Sequence, residues 1–404
     1  MITPKKDLRA GRSVWRHSYG ADVPHRRLTD SVKADVVIIG AGISGAFMAH
    51  ALAPRYGKVI VLDRRTPASG STSASTAMLQ FEIDVPLIRL GEKIGAAKAA
   101  RAWQRSFRAT QKLVRLVENE DIRCGLERRQ ALYLAGNEMG ARAMEEECMA
   151  RNRAGLPGIF LSGWELRDRF GIDRTGAILS PKSAVADPVR LAAGLLRRAI
   201  EKGASVYSPV NVEKVWTSTH GVILDTGAHF IEGRHVIFCT GYEVLENLPT
   251  KGTKITSSWA MATRPRAPYP AWLDKILVWE ASKPYLYLRT TPDGRVIVGG
   301  EDEDIDLPSY RARSIPHKTA RLIAKTSKLI QGMKLTPAFG WTGAFGESLD
   351  GLPFIDTVPG MPGCFAVMGF GGNGTIYSKI ASEIVPSLLR GRPDKDADLY
   401  QFRD

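Results

Sequence analysis

Two kinds of apolar pattern alternate along the chain. The first is the short unbroken run, as in Val36-Val37-Ile38-Ile39, followed by glycines and then by Phe47, Met48 and Leu52 at helical spacing. An unbroken β-branched run predicts a parallel strand buried on both faces, and the spaced residues after it predict a helix. Lys58-Val59-Ile60-Val61-Leu62 is a second such run. His235-Val236-Ile237-Phe238-Cys239 looks like the opening strand and is expected to rejoin its sheet, and Cys364-Phe365-Ala366-Val367-Met368 reads as a late strand. The other pattern is short and interrupted. Val210, Val212 and Val215, then Val222-Ile223-Leu224 and Phe230-Ile231, predict short antiparallel strands. Residues 257–263, 276–280, 285–289 and 295–300 predict an antiparallel meander that turns at Pro292-Asp293-Gly294, and Ala131-Leu132-Tyr133-Leu134 predicts one more strand. Helical spacing covers 87–120, then 139–152, 189–202 and 316–330. A last helix carries Ile376, Ile380, Ile384 and Leu388, and Pro386 should bend or shorten its end.

This order predicts an α/β fold with an α+β second domain. Residues 1–32 read as an irregular arm, with Trp15, His17 and Tyr19 packing on the body. A Rossmann-like domain is expected in 33–86, 155–253 and 336–404, and a discontinuous domain of antiparallel sheet plus helices in 87–154 and 254–335. A chain of 404 residues exceeds the usual single-core limit, so two domains suit its length.

The glycines after the first run fall at Gly40, Gly42 and Gly45, a Gly-x-Gly-x-x-Gly triad. Gly40 suits a tight turn, Gly42 the approach of backbone to a pyrophosphate, and Gly45 the packing of helix on sheet. The helix start offers free N–H groups and a partial positive charge to phosphates. The second run ends at Asp63, 63 − 45 = 18 residues past the last glycine, where an adenosine ribose is bound in such folds. Together these predict a dinucleotide site. The small, hydroxyl-rich stretch 67–77 follows directly and is expected to lie against the cofactor.

Charge and cysteine content narrow the picture further. The net charge is +14, but the basic residues are spread out and form no nucleic-acid arm; their field would draw in an anionic cofactor or substrate. Cys124, Cys148, Cys239 and Cys364 are far apart, and the seven histidines show no ligand spacing. No metal site and no disulfide framework are expected. The first thirty residues lack an apolar signal core, and the long apolar run 36–53 is broken by the glycine triad. A reducing, cytoplasmic setting without a membrane span is the expectation.

Later motifs extend the pattern. They are Ala186-Asp187-Pro188 before a helix that ends in Gly203-Ala204, then Cys239-Thr240-Gly241 and Thr291-Pro292-Asp293-Gly294-Arg295, and finally Asp350-Gly351-Leu352-Pro353 with Gly369-Phe370-Gly371-Gly372-Asn373-Gly374. With the first fingerprint, their order resembles the flavoprotein superfamily of D-amino-acid oxidase, glycine oxidase and sarcosine oxidase, nearest the γ-glutamylputrescine oxidase-like branch. The resemblance spans 34–390 and implies FAD. It would place Gly40, Gly42, Ile43, Ser44 and Gly45 at the pyrophosphate, Asp63 and Arg64 at the ribose, and Val212 at the adenine. Ser71, Thr72, Ser75, Thr76 and Gly241 would flank the cofactor. Gly371, Gly372, Asn373, Gly374 and Thr375 would meet the pyrimidine edge of the ring, where a helix start stabilises the charge that reduction brings.

Two departures from the family pattern matter. The flavin-attaching cysteine of sarcosine oxidases has no counterpart in 341–347, which implies noncovalent FAD. Phe345 stands where glycine and D-amino-acid oxidases place a carboxylate-binding arginine, which weakens a plain α-amino-acid substrate. The expected activity is oxidation of a C–N bond in a small amine or amino-acid-like substrate by hydride transfer to the flavin, a step that needs positioning more than acid or base side chains. Tyr285, Tyr287 and Arg289 share one strand face, as pocket walls and an anion clamp or as an ordinary packed stripe. Gln80, Glu82 and Asp84 follow the small-residue loop; Glu82 is a candidate ammonium partner, and Trp341 a candidate wall. Alternatives are an FAD-dependent dehydrogenase of a 2-hydroxy acid or glycerol phosphate, a nicotinamide-dependent dehydrogenase, and a flavin-carrying subunit of a larger complex.

Overall fold

The computed structural model of the chain describes residues 3–17, 20–243, 248, 253–392 and 394–402. The unbroken runs build one sheet, in the order Phe354–Thr357, Cys364–Met368, Phe230–Gly241, Val32–Ile39, Val59–Leu62 and Ser205–Tyr207. Along this order the pairs are parallel except at the Phe354–Thr357 edge. Burial on both faces explains the lack of alternation. Val36, Ile38, Val59, Val61 and Ile237 share a core with Phe47, Leu191, Leu195, Ile376 and Ile380, from helices Ile43–Leu52, Pro188–Glu201 and Gly374–Leu388. The intervening Val37, Ile39, Ile60, Leu62 and Phe238 pack on the other side with Val222 and Leu224. Those two come from the hairpin Lys214–Ser218 and Gly221–Asp225, which pairs with the outer part of Phe230–Gly241.

The interrupted patterns build a larger sheet, ordered Arg9–Arg12, Pro337–Glu347, Lys254–Thr263, Val296–Glu303, Leu286–Thr290, Ile276–Glu280, Glu127–Leu134, Gly176–Val185 and Met78–Leu79. Ile159–Ser162 pairs with Gly176–Val185 off this path. Only the contact of Ile276–Glu280 with Glu127–Leu134 is parallel among the described pairs. Helix Ile315–Leu329 covers one face, where Leu322 and Leu329 meet Trp259, Leu288 and Val298.

Several local expectations are corrected. The arm is not wholly irregular: Arg9–Arg12 is an edge strand paired with Gly340–Gly343 of the neighbouring strand. Trp15 packs as expected, whereas the His17 side chain and Tyr19 lie outside the described residues. The helical stretch 87–120 is two helices, Leu87–Ile94 and Ala96–Asn119, broken at Gly95, whose φ of 89° no ordinary side chain favours. Ile159–Ser162, Gly176–Val185 and Pro337–Glu347 fall within the segments expected to be Rossmann-like; they are instead hydrogen-bonded into the large sheet. Gly176–Val185 hides its membership because both faces are buried, Ala177 and Leu179 in one core and Ile178 in another. Pro386 lies in the last turn of Gly374–Leu388, which ends two residues later.

Candidate active site

A cleft lined from both sheets holds about 1970 Å³ of space, counting the part open to solvent. At one end stands the first strand–turn–helix. Gly40 has φ 110°, and a Cβ there would lie 2.3 Å from the Cys239 carbonyl oxygen. A Cβ on Gly45 would lie 1.7 Å from the Gly40 oxygen, so Gly45 packs the helix on the turn and does not itself line the cleft. Gly40, Gly42, Ile43 and Ser44 do line it. The Ile43 N–H donates to Thr72 Oγ1 at 3.0 Å.

Asp63 closes this end. Its Oδ2 accepts from Ala41 N–H at 2.6 Å and its Oδ1 from Arg65 N–H at 2.7 Å. Each oxygen keeps a lone pair for a hydroxyl ligand. Burial outweighs these bonds and pushes the carboxyl up to about 6. Arg64 lines the cleft and donates to Thr3, while Arg65 forks onto Glu243 at 2.6 and 2.8 Å. Val212 and Gly241 also line the cleft.

The hydroxyl-rich loop is held from behind. Trp341 Nε1 donates to Ala74 O, Trp15 Nε1 to Ser75 O and Arg289 Nε to Thr76 O, at 2.9, 2.7 and 2.7 Å. Three distant side chains thus tie down its carbonyls, and Ser71, Thr72, Ser75 and Thr76 line the cleft. Ser71 Oγ is buried with no hydrogen-bond partner. An orphaned hydroxyl in a backbone-walled cradle fits a polar ligand such as a dinucleotide.

The glycine-rich tail reaches the same cleft, through Gly371, Gly372, Asn373, Gly374 and Thr375. Gly372 N–H donates to Asp84 Oδ2 at 2.8 Å, and Asn373 Nδ2 donates to the Gln80 and Glu82 carbonyls. Ser44 Oγ and Ser378 Oγ are 2.9 Å apart, so the two helix starts lie side by side. Residues of both helix starts line the cleft, an arrangement that suits one elongated anionic ligand.

The other end is aromatic. Tyr285, Tyr287, Trp341, Trp279, Tyr242 and Phe345 line it with Ser258, Gln80 and Asp84. Tyr287 lies across Gly299 of the neighbouring strand, where a Cβ would meet its ring at 2.3 Å. Burial holds these phenols protonated, that of Tyr287 at about 12. Two candidates fall elsewhere. Arg289 is 1% exposed and donates to the carbonyls of Thr76, Ala186 and Thr290; it follows the tyrosines along its strand, but the loop lies over it. Glu82 is fully buried and outside the cleft, and burial raises its carboxyl with Arg151 nearby as the opposing influence. The strand before it stops at Leu79, so alternation through 80, 82 and 84 does not carry all three inward. Sequence reasoning misses Trp279, though it stands in register with Tyr287, and strand pairing is the signal that finds it. Arg65, Glu243, Tyr242 and Ser258 leave no separate mark in the sequence.

Strand, glycine turn and helix at one end of a cleft and an aromatic chamber at the other define a nucleotide-dependent oxidoreductase. The family model described as DAO, FAD dependent oxidoreductase, matches residues 35–386, and the chain belongs to that family. It is 24% identical to glycine oxidase of Geobacillus kaustophilus over 390 residues, covering 91% of this chain and 96% of the relative. It is also 24% identical to gamma-glutamylputrescine oxidoreductase of Escherichia coli K12, covering 95% and 90%. The crystal structure of the Geobacillus kaustophilus glycine oxidase superposes with a TM-score of 0.75 at 20% identity, over 92% of this chain and 98% of that one. Among the described residues no helix is long and apolar enough to cross a membrane.

Proposed function

We propose that this FAD-dependent oxidoreductase oxidises the C–N bond of a small amine or amino-acid derivative. Both named relatives act, by their names, on such compounds. The observation that carries the reading is the convergence of two glycine-lined helix starts, about 330 residues apart in sequence, on one cleft with an aromatic end. FAD would supply the two-electron acceptor. The first helix start with Ser44, Ser71 and Thr72 would hold its pyrophosphate, Asp63 its ribose and Val212 its adenine. The backbone of 371–375 would face the ring, offering N–H groups where negative charge builds. Tyr285, Tyr287 and Trp279 would orient the substrate and exclude water. The cofactor is expected to be noncovalent: Cys239 lines the cleft beside the Gly40 turn, away from the aromatic end, and burial keeps its thiol protonated. The four buried, unpaired cysteines suit a reducing cytoplasm.

The test is direct. Purified protein should be yellow, with absorption near ~450 nm that an amine substrate bleaches without oxygen and acid precipitation releases. A colourless protein that takes up no FAD on reconstitution overturns the reading.

A further inference from the structure

Among the described residues, the aromatic end of the cleft has a carboxylate and π-faces and no basic side chain. Among the described lining residues the only guanidinium groups are Arg64 and Arg65, both at the nucleotide end. Arg289 is used up by three carbonyls, and Phe345 offers no charge. Asp84 is exposed to the cleft beside the tail loop, where its Oδ2 accepts the Gly372 N–H at 2.8 Å. Gln80 Oε1 and Trp279 Nε1 sit in the same wall, each without a partner, on side chains 8% and 7% exposed.

A second carboxyl is delivered by a backbone irregularity. Ser257 pairs with Glu303 and Trp259 with Gly300, so Ser258 alone stands opposite Glu301 and Asp302. This is a β-bulge, a device that re-aims a side chain. Gly300 has φ 130° and Glu301 φ 59°, the latter unusual for a residue with a side chain. The fully buried Glu301 is pinned by Arg321 at 2.7 Å and Lys325 at 2.5 Å. Asp302 is thereby turned toward Ser258 and Tyr285, and burial raises its carboxyl to about 7.

Resting on the amine-oxidation reading above, we propose that this pocket selects an organic cation: an amine that carries no carboxylate on its reacting carbon. Asp84 is its direct ionic partner, and Trp279, Tyr285 and Tyr287 supply cation-attracting faces. Asp302 is a positioning residue that fixes Tyr285 and Ser258. A substrate carboxylate would find no guanidinium among the described residues of this end, and the Asp84 carboxylate would repel it.

The experiment titrates the flavin absorption of the FAD-loaded enzyme with two probes that it cannot oxidise, benzyltrimethylammonium and benzoate. The cation should bind at least ~10-fold more tightly, as expected for one charged contact. Asp84→Asn keeps an acceptor for the Gly372 N–H and should weaken the cation by about 10-fold with flavin content unchanged. Asp302→Asn should raise its Kd and the KM for amine by a smaller factor, with kcat less affected. A parallel arm compares anaerobic bleaching by N-methylbenzylamine and by N-methylphenylglycine, which differ by one carboxylate. Faster bleaching by the amine supports the proposal. Tighter binding of benzoate, an unchanged Kd in Asp84→Asn, or faster bleaching by the amino acid overturns it while leaving amine oxidation intact. If neither compound bleaches the flavin and yet the cation binds, the selectivity stands and the amine-oxidation reading is what fails.

Discussion

The two ends of the cleft are built on different principles. The nucleotide end is made of backbone: glycines that admit close approach, helix starts, and carbonyls tied back by Trp15, Trp341 and Arg289. The aromatic end is made of side chains from strands and loops far apart in sequence, Asp84, Tyr242, Ser258, Trp279, Tyr285 and Phe345. A backbone site tolerates few changes at its glycines and is indifferent to most side chains. A side-chain site can be retuned one residue at a time. One scaffold can therefore keep a cofactor while its substrate changes.

That contrast breaks most sharply at Gly45. Gly45→Val would drive its side chain into the Gly40 carbonyl oxygen, which lies only 1.7 Å from where a Cβ would stand. Strand, turn and helix would have to part, costing roughly 3 kcal/mol or more. Flavin content after purification and a thermal melt should both collapse. Retention of full flavin content would show the turn to be less rigid than the geometry requires.

Glu301→Gln comes next, because it attacks the side-chain end through its frame. The substitution puts a neutral amide in a fully buried position facing Arg321 and Lys325, which are themselves partly exposed. Because both cations can turn to water, the loss is about 2 kcal/mol, below the cost of breaking a wholly buried pair. Denaturant unfolding should show the loss, and the amine KM should rise as the bulge relaxes, with flavin content kept. Arg289→Lys separates the two ends in the opposite sense. A lysine cannot reproduce the fork onto three carbonyls, so about 2 kcal/mol of stability and part of the flavin occupancy should go. The KM for substrate should hold in the molecules that keep flavin. A large KM change there would restore the anion-clamp role that burial argues against.

The same contrast governs what is legible without the structure. The strand runs, the triad at 40–45, Asp63 and the tail at 371–375 are local patterns, and local patterns fix backbone. The expected strand 276–280 agrees with Ile276–Glu280 to the residue. Family-level order then ties the tail to the fingerprint. What stays hidden depends on register between strands. Trp279 enters the chamber because it pairs with Tyr287, and Asp302 turns inward because a bulge sets two residues against Ser258. Arg289 shows the converse, a residue in step with the pocket tyrosines that another segment covers.

The smallest effect is also the cleanest probe of the acidic end. An unfolded aspartate has an ordinary value near 3.8, and burial pushes the Asp302 carboxyl up to about 7 in the fold. Between these values the folded chain holds a proton that the unfolded chain has lost. Stability from this group is therefore full below about pH 4, falls as pH rises through the window, and levels off above 7. Asp302→Asn removes the titration, with Ser258 and Tyr285 still in place and Asp84 and Glu347 as the remaining nearby acids. Relative to the native chain, the variant's melting temperature should climb from pH 4 to pH 7 and stay about 2–4 °C higher at pH 8. Melts of the FAD-free protein across that range measure the difference directly. A constant offset between the two curves would mean that Asp302 is already ionised in the fold, and the low-dielectric setting inferred for the aromatic chamber would be lost with it.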